Sequence, residues 1–269
     1  MNKFLRALLM VVSMGMSGSV CAQDFLKGLQ ALNSGDTATV LKEFKFLADR
    51  EDARAQSFLG FVYLTGKGVA IDYNEAFSWF RKAAEQGNAA AQINLALMYK
   101  QGLGIVVDNK EALFWFRKAA EQGEALAQYS MAVMYQNGEG VIQDFKEAVT
   151  WYRKAAEQGN AGGQNGLGLM YKDGHGVIQN YNDAVIWFRR AAEQGDIGAQ
   201  YNLGSMYEKG QGILQDNVYA HMWYNISASN GNKIVSSVRD YIASKMTAAE
   251  VAKAQELARE CVKKQYKGC

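Results

Sequence analysis

From residue 53 to residue 232 two kinds of apolar stripe alternate along the chain, and both return every 36 residues. One runs through Ala112, Trp115, Phe116 and Ala119, three and four residues apart, which predicts a helix with one buried face. The other runs through Ala91, Leu95, Met98 and Tyr99 and predicts a first helix preceding it. A small residue on that first helix (Gly60, Ala96, Ala132, Gly168, Gly204) lets the second helix approach closely. Each second helix is expected to start at an acidic cap, as in Asp72/Glu75, Asp108/Glu111 and Asp144/Glu147, variants of the capping box. It is expected to stop at Gly87, Gly123, Gly159, Gly195 or Gly231.

The repetition extends to single letters. All five tryptophans, Trp79, Trp115, Trp151, Trp187 and Trp223, hold one position, and Ala-Ala-Glu-Gln-Gly follows the first four. Upstream come a glutamine (Gln56, Gln92, Gln128, Gln164, Gln200), a tyrosine (Tyr63, Tyr99, Tyr135, Tyr171, Tyr207) and a Gly-x-Gly loop. The units are 53–88, 89–124, 125–160, 161–196 and 197–232. A fixed period of this length marks a stacked array, because one helix pair cannot bury both of its stripes alone. The tryptophans are expected in the core.

Both ends depart from the period, as the ends of such an array should. Residues 23–52 read as a degenerate pair, Phe25–Asn33 and Thr37–Arg50, joined at Ser34-Gly35-Asp36. Residues 233–269 read as a cap: a helix over about 233–245, then one opened by the Thr247/Glu250 capping box and running to about Lys264.

Composition sharpens this picture. The 269 residues are 49% hydrophobic and 21% charged, with 27 Gly and no Pro, which excludes a disordered chain and suits many glycine-ended helices. Residues 1–22 have the form of a signal peptide: Lys3 and Arg6, a short apolar run Ala7–Met16, then Val20 and Ala22 at the cleavage positions. The run is too short to span a bilayer, and no later stretch is long enough, so no transmembrane segment is expected after cleavage. Lipidation of Cys21 is the weaker alternative. Loss of Lys3 and Arg6 leaves 27 basic and 27 acidic residues, and this neutrality argues against a nucleic-acid partner. Export, to the periplasm or beyond the cell, leaves two cysteines where disulfides persist. A Cys261–Cys269 bond would pin the end cap; two free thiols, or a bond to another chain, are the alternatives.

The string Ala-x-Ala-Gln-x-x-Leu-Gly-x-Met-Tyr-x-x-Gly-x-Gly-Val, then Asp, then Ala-x-x-Trp-Phe-Arg-Lys-Ala-Ala-Glu-Gln-Gly, resembles the Sel-1-like repeat family, relatives of the tetratricopeptide repeat. The match is in register over residues 53–232, and the stretch from Tyr219 to Cys261 looks like the ending of exported bacterial members. The resemblance implies an all-α fold, a right-handed α-solenoid of stacked antiparallel helix pairs acting as an adaptor, with no reaction of its own. Mapped onto the tetratricopeptide pattern, the second, fifth, ninth and twelfth residues of each unit line a concave groove. The fifth gives Ser57, Ile93, Tyr129, Asn165 and Tyr201; the ninth gives Phe61, Leu97, Val133, Leu169 and Ser205; the twelfth gives Leu64, Lys100, Gln136, Lys172 and Glu208. These positions vary among the copies while core positions repeat. That fits a surface matched to an asymmetric partner, although a drifting solvent face would vary too.

Catalytic chemistry finds few residues to use. The Gly-x-Gly loops follow helices rather than strands, and an acidic cap stands at the next helix start, so turns are expected rather than phosphate cradles. Only His175 and His221 exist, neither with a partner at zinc-ligand spacing, and no cofactor or metal is expected. The repeated pairs Arg81/Glu85, Arg117/Glu121, Arg153/Glu157 and Arg189/Glu193 read as a solvated stripe, a charged docking rail being the weaker reading. A cysteine-rich branch of the family is linked to β-lactam binding or hydrolysis, but no repeat here holds a cysteine and no Ser-x-x-Lys occurs. The expectation is a non-catalytic adaptor for a protein or peptide ligand. A β-lactam-binding or hydrolysing enzyme and a secreted effector of host proteins are the rivals. The sequence leaves the oligomeric state open.

Overall fold

The computed structural model describes residues 25–28, 30, 31, 34 and 36–269, so the expected leader lies outside the described residues. The chain divides into two compact units, the first ending at Ala119 and the second comprising Ala120–Cys269. Among the described residues all regular structure is helical.

In the first unit residues 25–28, 30 and 31 are helical. Next come α1 (Thr37–Ala48), the pair α2 (Ala53–Thr65) and α3 (Tyr73–Glu85), and α4 (Ala89–Gln101). The boundary between units falls inside α5 (Asn109–Glu121). The second unit holds three pairs, α6 (Ala125–Asn137) with α7 (Phe145–Glu157), α8 (Ala161–Asp173) with α9 (Tyr181–Ala192), and α10 (Ile197–Lys209) with α11 (Asn217–Ser229). Then follow α12 (Val235–Ala243) and α13 (Ala248–Lys263). Each helix from α1 to α4 and from α6 to α11 packs on the next within its run, and both closing helices pack on α11. This is the stacking of an all-α repeat solenoid.

Side-chain caps set the helix starts. Asp72 accepts from the backbone N–H of Asn74 and Glu75, and Asp144 accepts from those of Lys146 and Glu147. The reciprocal arm expected of a capping box is replaced, because the Asp72 N–H already donates to the Tyr63 carbonyl at 3.0 Å. The same bond joins Asp108 to Tyr99, Asp144 to Tyr135, Asn180 to Tyr171 and Asp216 to Tyr207. It ties each second helix to the last turn of the first, so Glu75 and its equivalents are left outside the cap. Among the described residues, Thr247 and Glu250 complete both arms of a box.

The two glycines of each loop have different tasks. The first (Gly66, Gly102, Gly138, Gly174, Gly210) ends the first helix in the left-handed region. The second leaves room for the preceding repeat: a Cβ on Gly176 would lie 2.2 Å from the Phe145 carbonyl oxygen, and one on Gly212 would lie 2.4 Å from that of Tyr181. The spacing between repeats therefore rests on a missing methyl group.

Inside each pair the most deeply buried aromatic is the residue after the tryptophan: Phe80, Phe116, Tyr152, Phe188 and Tyr224. Its ring takes the space left by the small first-helix residue, since a Cβ on Gly60 would meet Phe80, one on Gly168 Phe188 and one on Gly204 Tyr224, all under 3.0 Å. The tryptophans themselves differ from expectation. Trp79 and Trp223 are buried, but Trp115, Trp151 and Trp187 are only half-buried. A long cation lies over the indole in buried and half-buried copies alike: Lys82 over Trp79 at 4.5 Å, Lys154 over Trp151 at 4.1 Å and Arg190 over Trp187 at 4.7 Å.

The C-terminus folds back. Cys261, buried in the core of the last repeats, is disulfide-bonded to Cys269 with a Cα–Cα distance of 5.6 Å. Between them Tyr266 donates from its hydroxyl to Asn230 Oδ1 at 3.1 Å, and the Gly268 N–H donates to Glu193 Oε1 at 3.4 Å.

Candidate functional site

The face formed by the fifth, ninth and twelfth residues of each first helix is built the same way in both units. Each first helix buries its seventh and tenth residues in the core, while these positions lie beside that contact, close enough for Gln136 and Glu208 to bond Tyr152 and Tyr224 of the second helix. Their accessibility agrees: all are half-buried except Ile93, which is buried and offers a ligand little. Half-burial leaves side chains reachable yet held.

In the first unit the face carries Ser57, Phe61, Leu64, Leu97 and Lys100, with Lys67 Nζ 4.9 Å from the centre of the Phe61 ring. In the second unit it carries Tyr129, Val133, Gln136, Asn165, Leu169, Lys172, Tyr201, Ser205 and Glu208. Several of these are locked from behind. Tyr152 donates to Gln136 Oε1, and Tyr224 donates to Glu208 Oε2 at 2.7 Å. Asn202 Nδ2 donates to Asn165 Oδ1 at 2.9 Å, across successive repeats. Gly162 and Gly198, second residues of their units, lie against Tyr129 and Asn165, where a Cβ would come within 3.0 Å of either. Tyr129 and Asn165 are thus each matched by a glycine in the next repeat.

The two buried phenols behind the face stay protonated. Burial pushes the Tyr152 hydroxyl well above the ordinary phenol value, and the nearby Tyr129 adds to this. Burial also raises Tyr224, reinforced by its hydrogen bond to Glu208 and that carboxylate's charge. They act as fixed donors, so Gln136 and Glu208 present set oxygens.

Other predicted features fall elsewhere. The His175 ring stacks on Phe145, centroids 4.7 Å apart and planes 18° from parallel. His221 is buried, as its repeat position requires. The charged stripe is broken: Arg81 Nε donates to Glu85 at 2.9 Å, but Arg153 reaches the Tyr171 hydroxyl at 2.9 Å and Arg189 that of Tyr207 at 3.4 Å. Among the described residues no group of three or more His, Cys, Asp or Glu could hold a metal, and no helix is long and apolar enough to cross a membrane.

A set of exposed aliphatics has no counterpart among the sequence expectations. Ile142, Ile178 and Leu214, at the same position of three loops, are 89%, 88% and 86% exposed. The next residue braces each loop: Gln143, Gln179 and Gln215 donate to the carbonyls of Gln136, Lys172 and Glu208. The clue was available, since an aliphatic immediately before a polar brace and a helix cap has no core to enter.

The sequence profile of the Sel1 repeat matches residues 53–88, 89–124, 125–160, 161–196 and 197–232. The chain belongs to the Sel1 repeat family. A solved Sel1 repeat protein from Oxalobacter formigenes is 35% identical to this one over 87% of this chain and 98% of that chain, with a TM-score of 0.75. The crystal structure of c5321, a protective antigen present in uropathogenic Escherichia coli strains displaying an SLR fold, is also 35% identical, with a TM-score of 0.80. That match covers 98% of this Sel1 repeat chain and 57% of c5321. Comparison with curated proteins returns no match. The Sel1 repeat is a scaffold fold.

Proposed function

We propose that this Sel1 repeat protein is an exported, non-catalytic adaptor that captures a protein or peptide on the first-helix face. The observation carrying this reading is the combination of access and fixation: Tyr129, Leu169 and Tyr201 are half-buried, while their polar neighbours Gln136, Asn165 and Glu208 are already hydrogen-bonded from within. A surface whose rotamers are set before binding loses less entropy on association. Tyrosine side chains are frequent anchors of such contacts. Export is supported by the signal-like segment 1–22 and by the Cys261–Cys269 bond, which persists in oxidising compartments.

Crosslinked pull-down from envelope extracts, comparing the natural chain with Tyr129→Ala plus Leu169→Ala, tests the reading. The adaptor role predicts loss of specific partners at unchanged helical content. An identical set of partners would overturn it.

A further inference from the structure

The repeats serve as controls for one another at a single recurring place, where the last-turn tyrosine of a first helix faces the second helix of the repeat before. Beside Tyr99, Tyr171 and Tyr207 something occupies it. Phe77 meets Tyr99 edge-on, with centroids 5.4 Å apart and planes at 81°. Arg153 reaches Tyr171; Arg189 reaches Tyr207, on which Tyr219 also stacks at 5.2 Å. The equivalent place beside Tyr63 is open. There a cavity of about 290 Å³ is lined by Leu41, Lys45, Leu59, Tyr63, Glu75 and Trp79.

The register explains the opening. Leu41, Lys45, Tyr63, Glu75 and Trp79 stand 36 residues before Phe77, Arg81, Tyr99, Glu111 and Trp115. The charged rim is alike in the two sets, one cation and one glutamate. The wall has Leu41 where the next repeat has the Phe77 ring; Val149 and Val185 are aliphatic at this register too, but there Arg153 and Arg189 reach the tyrosine. None of the six lining residues belongs to the first-helix face.

We propose that this cavity is a second binding site, taking one aromatic side chain of a partner polypeptide in the edge-on position that Phe77 holds against Tyr99. The space suffices, since a cavity of about 150 Å³ already admits benzene. Its walls are apolar and aromatic: Leu59 and Trp79 are buried, and Leu41 and Tyr63 are half-buried. Edge-to-face contact with a tyrosine ring favours an aromatic over an aliphatic occupant. Lys45 and Glu75, of opposite charge at the rim, select against neither sign and leave the peptide groups flanking the ring to be bonded.

Titration with N-acetylphenylalaninamide, followed through the indole N–H resonance of Trp79, tests the site, with N-acetylalaninamide as control. The site predicts a saturable shift for the phenylalanine derivative, at least tenfold weaker for alanine. Leu41→Phe is expected to fill the cavity from within, abolish the shift and raise the thermal midpoint. Tyr63→Leu, which removes the aromatic wall, is expected to weaken binding at least tenfold and serves as the deciding variant should Leu41→Phe fold poorly. Absence of a shift in the natural chain, an equal shift with the alanine derivative, or unchanged binding in the folded variants would overturn the proposal.

Discussion

Gln194 donates from Nε2 to Gln164 Oε1 at 2.8 Å, and Gln164 donates from its own Nε2 to the carbonyl of Ala156 at 3.1 Å. One buried amide thus joins the end of its own repeat to the end of the second helix before it. The arrangement recurs: Gln86 with Gln56 and Ala48, Gln158 with Gln128 and Ala120, and Asn230 with Gln200 and Ala192. The Gln of the Glu-Gln-Gly ending and the Gln of the first helix are partners, which is why both return every 36 residues.

Gln164→Leu removes two buried hydrogen bonds, to the Ala156 carbonyl and from the Gln194 amide, a loss of about 2 kcal/mol. Thermal unfolding followed by circular dichroism should show a midpoint lower by about 5 °C or more. Gln179→Ala, which removes only an exposed brace, should move it by about 1 °C.

The glycines separate conformational strain from crowding. Gly159 has φ of 85° and nothing within 4 Å of the place a Cβ would take, whereas Gly176 has φ of 70° and the Phe145 carbonyl 2.2 Å from that place. Gly159→Ala should cost about 1 kcal/mol. Gly176→Ala should cost at least about 3 kcal/mol, because the loop must leave the preceding repeat. Equal losses in urea unfolding would refute the docking role given to the second glycine.

The Cys261–Cys269 bond spans a sequence separation of 8, and closing so short a loop contributes about 2.5 kcal/mol. Cys269→Ser, or reduction by a dithiol, should lower the unfolding midpoint. It should also speed hydrogen exchange at Tyr266 and Gly268, whose bonds to Asn230 and Glu193 hold the tail. Unchanged exchange there would show that the tail is held without the bond.

Acid should act on His221. Burial holds its imidazole below the ordinary value, the Arg239 guanidinium adds to this, and Asp240 opposes it. The unfolded chain then binds the proton more readily than the folded one. Stability is therefore full above about pH 6.5 and is lost as pH falls through that value toward the folded pKa. His221→Leu, giving the side chain found at position 113, should flatten the pH dependence of the midpoint between about pH 7 and 5. A slope unchanged by the substitution would assign it to other groups.

Much of this was legible because the chain states it five times. Repetition marks the helix pairs, the loop glycines and the caps, and Thr247/Glu250 marks the final helix without help from it. What stayed hidden depends on contacts between residues distant in sequence. Trp151 reads as a core residue, yet it is half-buried while Tyr152 takes the interior. The second arm of the Asp72 cap is lost to Tyr63, nine residues earlier, and no local pattern announces it. Ile93 has the same register as Tyr129 and still lies buried, since register fixes direction but not what stands above it. The cavity beside Tyr63 lies where Leu41 stands for Phe77 and Lys45 for the arginine that reaches the tyrosine in later repeats, which has meaning only once those contacts are seen.

Site-specific photocrosslinking asks most directly whether the first-helix face is where this protein works. A benzophenone amino acid placed in turn at Val133, Leu169 and Ser205, and at exposed Ile186 on a second helix, would be activated in intact cells and the adducts resolved by mass. The account predicts a common adduct from the three first-helix positions and none from Ile186. The same adduct from Ile186 alone, with the first-helix positions silent, would contradict it.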